Sequence, residues 1–179
     1  MTTQVNPKKF AGIIRFLTKS DLIDIKSILE TWIKDRITSS PLLDEVEETL
    51  QNMRASIDKS NSRVYLVAEE GGLVVGVIGF KNPDQKMIAF ARTSNPAELI
   101  NAYVRIDERG GRGIGRALVD LLENEAIKQG FTEIILNSGP RFKETGWGFY
   151  DKLPNYERIG IAENYYGQGA DAPVWSKIL

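Results

Sequence analysis

The sequence has no cysteine and no histidine. Without cysteine there is no disulfide framework, no zinc–thiolate site and no thiol nucleophile. Without histidine, the Ser-His-Asp triad, the histidine-based zinc sites and the commonest general base drop out together. No metal is expected, and acid–base chemistry falls to Asp, Glu, Tyr, Lys or ordered water. A surplus of charge is missing too: 23 Lys and Arg stand against 24 Asp and Glu, a net charge of −1. A nucleic-acid binder normally carries a basic face, so no nucleic acid is expected as a partner. Long apolar runs are also lacking. The longest, Leu73-Val74-Val75-Gly76-Val77-Ile78-Gly79-Phe80, falls far short of the ~20 residues that cross a bilayer. Residues 1–10 are polar, with Lys8 and Lys9 and no apolar centre, unlike a secretory signal. The expectation is a cytoplasmic protein with no membrane partner.

What is present fits one globular domain. The chain has 179 residues, 42% hydrophobic and 26% charged. We read residues 1–11 as an N-terminal extension and residues 12–179 as a single domain. Periodicity gives a short strand over 13–17 and a helix whose stripe is Leu22, Ile25, Ile28, Leu29, Trp32 and Ile33, with Thr18 or Ser20 as its N-cap. A second helix spans 42–57, with Asp44, Glu45, Glu47 and Glu48 on or near one face, most simply a solvated one. Strands at 63–69 and 73–81 flank the turn Glu70-Gly71-Gly72. Residues 82–96 read as irregular, with a strand considered at 87–91. A strand at 98–104, a long helix from 113 to about 129, and a strand at 133–137 follow. A short helix at 147–153 precedes strands near 156–161 and 174–179. The strand–helix–strand crossover over 98–137 implies one parallel pair and the hairpin implies antiparallel neighbours. The fold class is therefore mixed α+β.

One loop stands out: Arg109-Gly110-Gly111-Arg112-Gly113-Ile114-Gly115-Arg116, between a strand and a helix. Glycines let the backbone turn tightly and approach a ligand closely. The loop runs into a helix N-terminus, where unpaired N–H groups and the helix dipole favour an anion. The arginines add positive charge. A tight turn with solvated arginines is the plainer alternative; the density of glycine and arginine favours an anion cradle. A Walker loop would need Lys and Ser or Thr after its last glycine, where Arg116 and Ala117 stand. A dinucleotide fingerprint would need glycine at 116 or 118, where Arg116 and Leu118 stand.

With that loop, the strand end Asn101-Ala102-Tyr103-Val104 before it and Phe149-Tyr150-Asp151-Lys152-Leu153 after it, the sequence resembles the GNAT superfamily of N-acetyltransferases. The element order matches over residues 12–179. Gly110 stands where the family usually has Arg or Gln, with Arg109 one residue early. Lys143 and Gly146 replace an Asn and an Ala often found before the tyrosine, and Pro154-Asn155-Tyr156 follows the short helix in place of Gly-Phe.

The resemblance implies the acyl-CoA N-acyltransferase fold. That fold is a mostly antiparallel sheet of six to seven strands, its one parallel pair splayed around the cofactor, flanked by about four helices. It implies acetyl-CoA as acyl donor and direct attack by a primary amine. Tyr150 is then the general acid for the departing thiolate, the alternative being a half-buried core aromatic; Tyr103, Tyr165 and Tyr166 are weaker rivals. Glu98 is the base, directly or through water, or else a charged strand end facing solvent. Tyr103 and Val104 offer backbone donors for the oxyanion and for the pantetheine arm, and Asn137 a further polar contact. Arg109, Gly110, Gly111, Arg112, Gly113, Ile114, Gly115 and Arg116 hold the pyrophosphate. A loop from Tyr165 to Trp175, with Trp147 and Arg141, is expected to wall the acceptor pocket. The acceptor is a small-molecule or peptide amine, and a homodimer stays open. Two other readings stand beside this one: a catalytically silent CoA-binding module, and an unrelated phosphate-binding α+β protein.

Overall fold

The computed structural model describes residues 10–108 and 112–179. Its seven strands run in the order β1-β2-β3-β4-β5-β7-β6. They are β1 (Ile13–Phe16), β2 (Val64–Glu70), β3 (Leu73–Lys81), β4 (Pro96–Val104), β5 (Glu133–Asn137), β6 (Glu157–Ala162) and β7 (Ala172–Ile178). The helices are α1 (Leu22–Trp32), α2 (Leu43–Ile57), α3 (Gln85–Ile88), α4 (Ile114–Lys128) and α5 (Trp147–Tyr150). Three single 3-10 turns add to these, at Lys19–Asp21, Ile106–Glu108 and Pro140–Phe142. The sheet is mixed, with β4 and β5 as its parallel pair. Among the described residues no helix is long and apolar enough to cross a membrane. The chain divides into two compact units. The first runs to Gly79 and resumes over Asn101–Leu122; the second is Phe80–Ile100 and Glu123–Leu179.

The first unit is built on β1, β2, α1 and α2. Strand β1 pairs antiparallel with β2, Ile14 opposite Ala68. The α1 stripe works as its spacing predicts: Ile25, Ile28, Leu29 and Ile33 are buried, as are Val46, Leu50 and Met53 of α2. A capping box joins Thr18 and Asp21 before α1. Arg15 fastens the same corner by pairing with Asp21 at 2.7 Å and Glu69 at 2.6 Å. These bonds raise the Arg15 guanidinium and hold the Asp21 carboxyl below its ordinary value against the opposing effect of burial. Gly76 of β3 lets the start of α4 lie close. A Cβ there would meet Leu118 Cδ1 at 3.0 Å, with Ile114 Cγ2 and the Tyr103 carbonyl at 3.3 Å.

The second unit is built on β5 and β7. Strand β5 pairs parallel with β4 from Pro96↔Glu133 to Glu98↔Ile135. It pairs antiparallel with β7, which also carries β6. Met87, Ile135, Ala162 and Val174 form a buried cluster, with Phe90, Ile159 and Tyr165 packed on it. The fully buried Glu133 accepts from the amides of Arg92 and Thr93, both at 2.9 Å, and so fixes the loop leading to β4.

Several boundaries differ from the sequence expectation. Residues 85–88 are helix α3, where a strand was considered at 87–91. The reason is local: the Asp84 side chain accepts from the Met87 amide at 2.9 Å and caps a helical turn. Strand β4 begins at Pro96, two residues earlier than expected, and proline is tolerated at a strand's first position. Helix α5 ends at Tyr150, not Leu153, because residues 151–155 turn, with Asn155 at φ +64°. The turn at Pro140–Phe142 was not foreseen. The loop expected over 165–175 is shorter: β7 already starts at Ala172, and Trp175 is fully buried within it.

Candidate functional site

In the first unit the sequence candidates fall on the end of β4 and the start of α4. Asn101 sits inside β4 with φ +51°. This left-handed conformation is rare outside glycine, and Asn is among the residues that tolerate it best. The Tyr65 phenol donates to Asn101 Oδ1 at 3.0 Å and pins it. Burial pushes the Tyr65 phenol well above its ordinary pKa, so it stays protonated as that donor. Just beyond, Trp32 Nε1 donates to the Val104 carbonyl at 2.8 Å, and the Arg105 amide donates to the Val75 carbonyl at 2.9 Å. Tyr103 and Val104 are half-buried on this anchored stretch. A left-handed residue within a strand re-aims the following amides and interrupts regular pairing.

Gly113 precedes α4 with φ +75°, a conformation that favours glycine. The Ala117 amide bonds to the Gly113 carbonyl at 2.9 Å and closes the first helical turn. The amides of Ile114, Gly115 and Arg116 therefore precede the intrahelical ladder and face the helix N-terminus, where an anion is favoured. Ile114 itself is buried and seats the turn on β3. The described arginines of this loop have carboxylate partners. Arg112 is ion-paired to Glu70 and Glu108, and Arg116 to Asp120 at 2.7 Å. Each guanidinium already has a carboxylate partner. Arg109, Gly110 and Gly111 lie outside the described residues.

In the second unit, Glu98 of β4 is buried, where a strand-end carboxylate facing solvent had been the alternative. Lys81 Nζ lies 3.1 Å from Glu98 Oε2, and the Asp84 amide donates to the same oxygen at 3.3 Å. Burial raises the Glu98 carboxyl above its ordinary range, with the Lys81 ammonium pulling the other way. Asp84 links this carboxylate to the β6–β7 loop, because Tyr165 donates to Asp84 Oδ2 at 2.5 Å. Burial opposes ionisation of Asp84, yet the Tyr165 phenol and the Met87 amide hold it below its ordinary value. Asp84, Gln85, Lys86 and Tyr165 line a cavity of about 430 Å³. Asn137, at the end of β5, donates to Met87 Sδ at 3.2 Å and accepts from the Tyr166 phenol at 2.6 Å. The rings of Tyr165 and Tyr166 lie 4.9 Å apart. Glu98, Asp84, Tyr165, Tyr166 and Asn137 thus form one connected network.

Tyr150 ends α5 and is 8% exposed. Its ring lies 5.4 Å from Phe149 and 5.3 Å from Trp175. The Trp175 indole donates to Asp151 Oδ1 at 2.9 Å. Sequence reasoning missed Asp84 and Asp151 as parts of these arrangements. The spacing of Asp84 and Met87 is a helix-cap signal; nothing local signals Asp151, whose partners lie on β6 and β7.

Solved structures share this fold. A GNAT-family protein from Desulfovibrio desulfuricans superposes with a TM-score of 0.74 at 14% identity, over 94% of this chain and 99% of that one. A ribosomal-protein-alanine N-acetyltransferase from Brucella melitensis gives 0.67 at 24% identity, over 93% and 99%. The protein yncA from Salmonella typhimurium, solved with its cofactor acetyl-CoA, gives 0.67 at 20% identity, over 94% of both chains. No curated protein matches the chain in sequence at a significant level. Residues 29–154, well over half of the chain, match the acetyltransferase (GNAT) family. The chain belongs to the GNAT family of acetyltransferases.

Proposed function

We propose that the protein is an N-acetyltransferase that moves the acetyl group of acetyl-CoA to a primary amine. The observation that carries this reading is the left-handed Asn101 inside β4, pinned by Tyr65. The parallel register of β4 with β5 runs from Pro96↔Glu133 to Glu98↔Ile135 and stops short of Asn101, and a left-handed residue re-aims the amides that follow it, which suits an amide-bearing pantetheine arm along residues 101–104. The turn at Gly113 and the amides that open α4 suit a pyrophosphate. The residues present therefore fit the cofactor through their backbone. Arg112 keeps its carboxylate partners and neutralises them beside the anion.

Bound acetyl-CoA supplies an acyl group already activated as a thioester. The protein's own side chains then move two protons. Glu98, raised by burial, takes the proton of the amine directly or through water. Tyr150 gives a proton to the departing thiolate: a phenol of pKa ~10 donates to a thiolate whose conjugate acid lies near ~8.5 when the two are in contact. The Salmonella neighbour holds acetyl-CoA and the Brucella neighbour is named for an alanine amine on a ribosomal protein. The first supports acetyl-CoA as the donor and the second a peptidic amine as one class of acceptor.

The test is release of free coenzyme A thiol over a panel of amines, after calorimetric titration with acetyl-CoA. Binding followed by turnover with at least one amine is expected. Binding without turnover on any amine would leave a silent CoA-binding module, and no binding would remove the cofactor reading altogether. Tyr150→Phe is expected to lower kcat by about 10²-fold, the scale of positioned acid catalysis. An unchanged kcat would sink the assignment of Tyr150.

A further inference from the structure

Helix α5 is one turn long, Trp147–Tyr150. A single turn has no stability of its own, because helix nucleation is unfavourable. Contacts at the two ends of that turn therefore help to set the aim of the Tyr150 phenol. At the start, Trp147 Nε1 donates to the Ser138 carbonyl at 3.1 Å. At the end, the residue that follows Tyr150 makes the attachment. Asp151 Oδ1 accepts from Trp175 Nε1 at 2.9 Å, and Arg158 Nη2 donates to both Asp151 oxygens, at 3.0 and 2.9 Å. The Arg158 guanidinium also lies 4.9 Å from the Trp175 ring centroid and 5.7 Å from that of Trp147. Trp175, fully buried, is the surface against which the Tyr150 ring rests at 5.3 Å.

We propose that Asp151, together with Arg158, is a positioning residue for Tyr150: it locks the Trp175 indole and thereby fixes where the phenol points. The inference rests on Tyr150 as the proton donor. A purely structural role is the alternative. The Asp151–Arg158 pair is 45% and 43% exposed, and ion pairs so exposed add little to stability. Its removal should therefore show in the behaviour of Tyr150 more than in unfolding. Small misplacements of a reacting group have large effects on rate, up to about 10²-fold for roughly 1 Å.

A double-mutant cycle reads this directly, because residues acting as one unit give non-additive losses. Asp151→Asn is expected to lower kcat about tenfold, with the KM for acetyl-CoA within about twofold, since the cofactor's backbone contacts are untouched. In the Tyr150→Phe background the same change should have no further effect on kcat. Arg158→Gln, which leaves the buried indole in place, should act in the same direction with a smaller loss. A readout without substrate accompanies these. In protein labelled with ¹³C on tyrosine rings, the Tyr150 signals, identified by their absence in Tyr150→Phe, lie in the ring field of Trp175. They should shift in Asp151→Asn and Arg158→Gln while the other tyrosine signals hold. Additive losses in the cycle, or Tyr150 signals unmoved in both variants, overturn the inference alone. A wild-type kcat in Tyr150→Phe overturns the proton-donor reading and this inference with it.

Discussion

Asn101 and Gly113 in the first unit hold φ angles of +51° and +75°. In the second unit the candidate groups are side chains on ordinary backbone: Glu98 against Lys81 and the Asp84 amide, and Tyr150 against Trp175. On the proposed reading, the first arrangement binds with main-chain groups and its accuracy comes from torsion angles. On the same reading, the second acts through titrating groups, whose accuracy comes from partners far away in sequence. The difference predicts how each responds to change. A main-chain cradle should ignore the loss of nearby side chains and fail when a torsion becomes strained. A side-chain network should fail at single residues and respond to pH.

The sharpest form of this contrast is Glu98→Gln. Burial lifts the Glu98 carboxyl above its ordinary value of about 4.3, with Lys81 opposing. A base acts when ionised, so kcat with an amine should rise with pH through that raised value. The variant is expected to lose about 10²-fold in kcat and to lose this acidic limb, while binding acetyl-CoA normally. Stability has the opposite sign. A carboxyl raised in the folded state favours folding at low pH, and that contribution is lost as pH rises through the raised value. Melting temperatures across that window should therefore fall less with rising pH in the variant than in the parent. A pH–rate profile of unchanged shape would remove Glu98 as the base.

Gly113→Ala tests the other side of the contrast. An alanine forced into the left-handed region costs roughly 1–2 kcal/mol, which corresponds to about 5–30-fold in an equilibrium constant. The residue sits at the mouth of α4, so the strain is relieved most easily by letting the turn shift and the amides lose their common aim. Calorimetry should show coenzyme A affinity reduced about tenfold, with kcat at saturating acetyl-CoA within about threefold. Equal affinity in parent and variant would mean that the torsion at Gly113 does not set the cradle.

The same contrast explains what the sequence made legible. A main-chain site leaves a local trace, because glycines and a helix start must be neighbours in the chain. The loop around Gly113 was visible for that reason, as were strand β5 at Glu133–Asn137 and the α1 stripe. The left-handed Asn101 was not, since asparagine inside a strand has many ordinary uses. A side-chain network leaves no such trace. Asp84, Glu98 and Tyr165 are joined by hydrogen bonds, yet they lie on three separate segments. Asp84 even sits in a stretch read as irregular, because one turn of helix is too short for periodicity to register. Glu98 and Tyr150 were reachable only through family resemblance. What fixes their surroundings, Lys81 in one case and Trp175 with Asp151 in the other, became visible only in three dimensions.

The smallest expected effect decides most directly whether the cradle is main-chain in character. Arg112 looks from sequence like a phosphate ligand, but it is ion-paired to Glu70 and Glu108. If it serves only to neutralise them, Arg112→Gln exposes two carboxylates beside the anion site. Coenzyme A affinity should then weaken only about threefold, the effect of like charge at a partly solvated distance. Removing one of those carboxylates as well, in Glu70→Gln/Arg112→Gln, should return affinity to within about twofold of the parent. If Arg112 instead leaves its partners to hold the phosphates, the single variant should lose tenfold or more and the second change should not restore it. Exposed ion pairs contribute about 0–1 kcal/mol, so neither variant should melt more than a few degrees below the parent. The ratio of single to double variant in calorimetry therefore separates a neutralising arginine from a binding one.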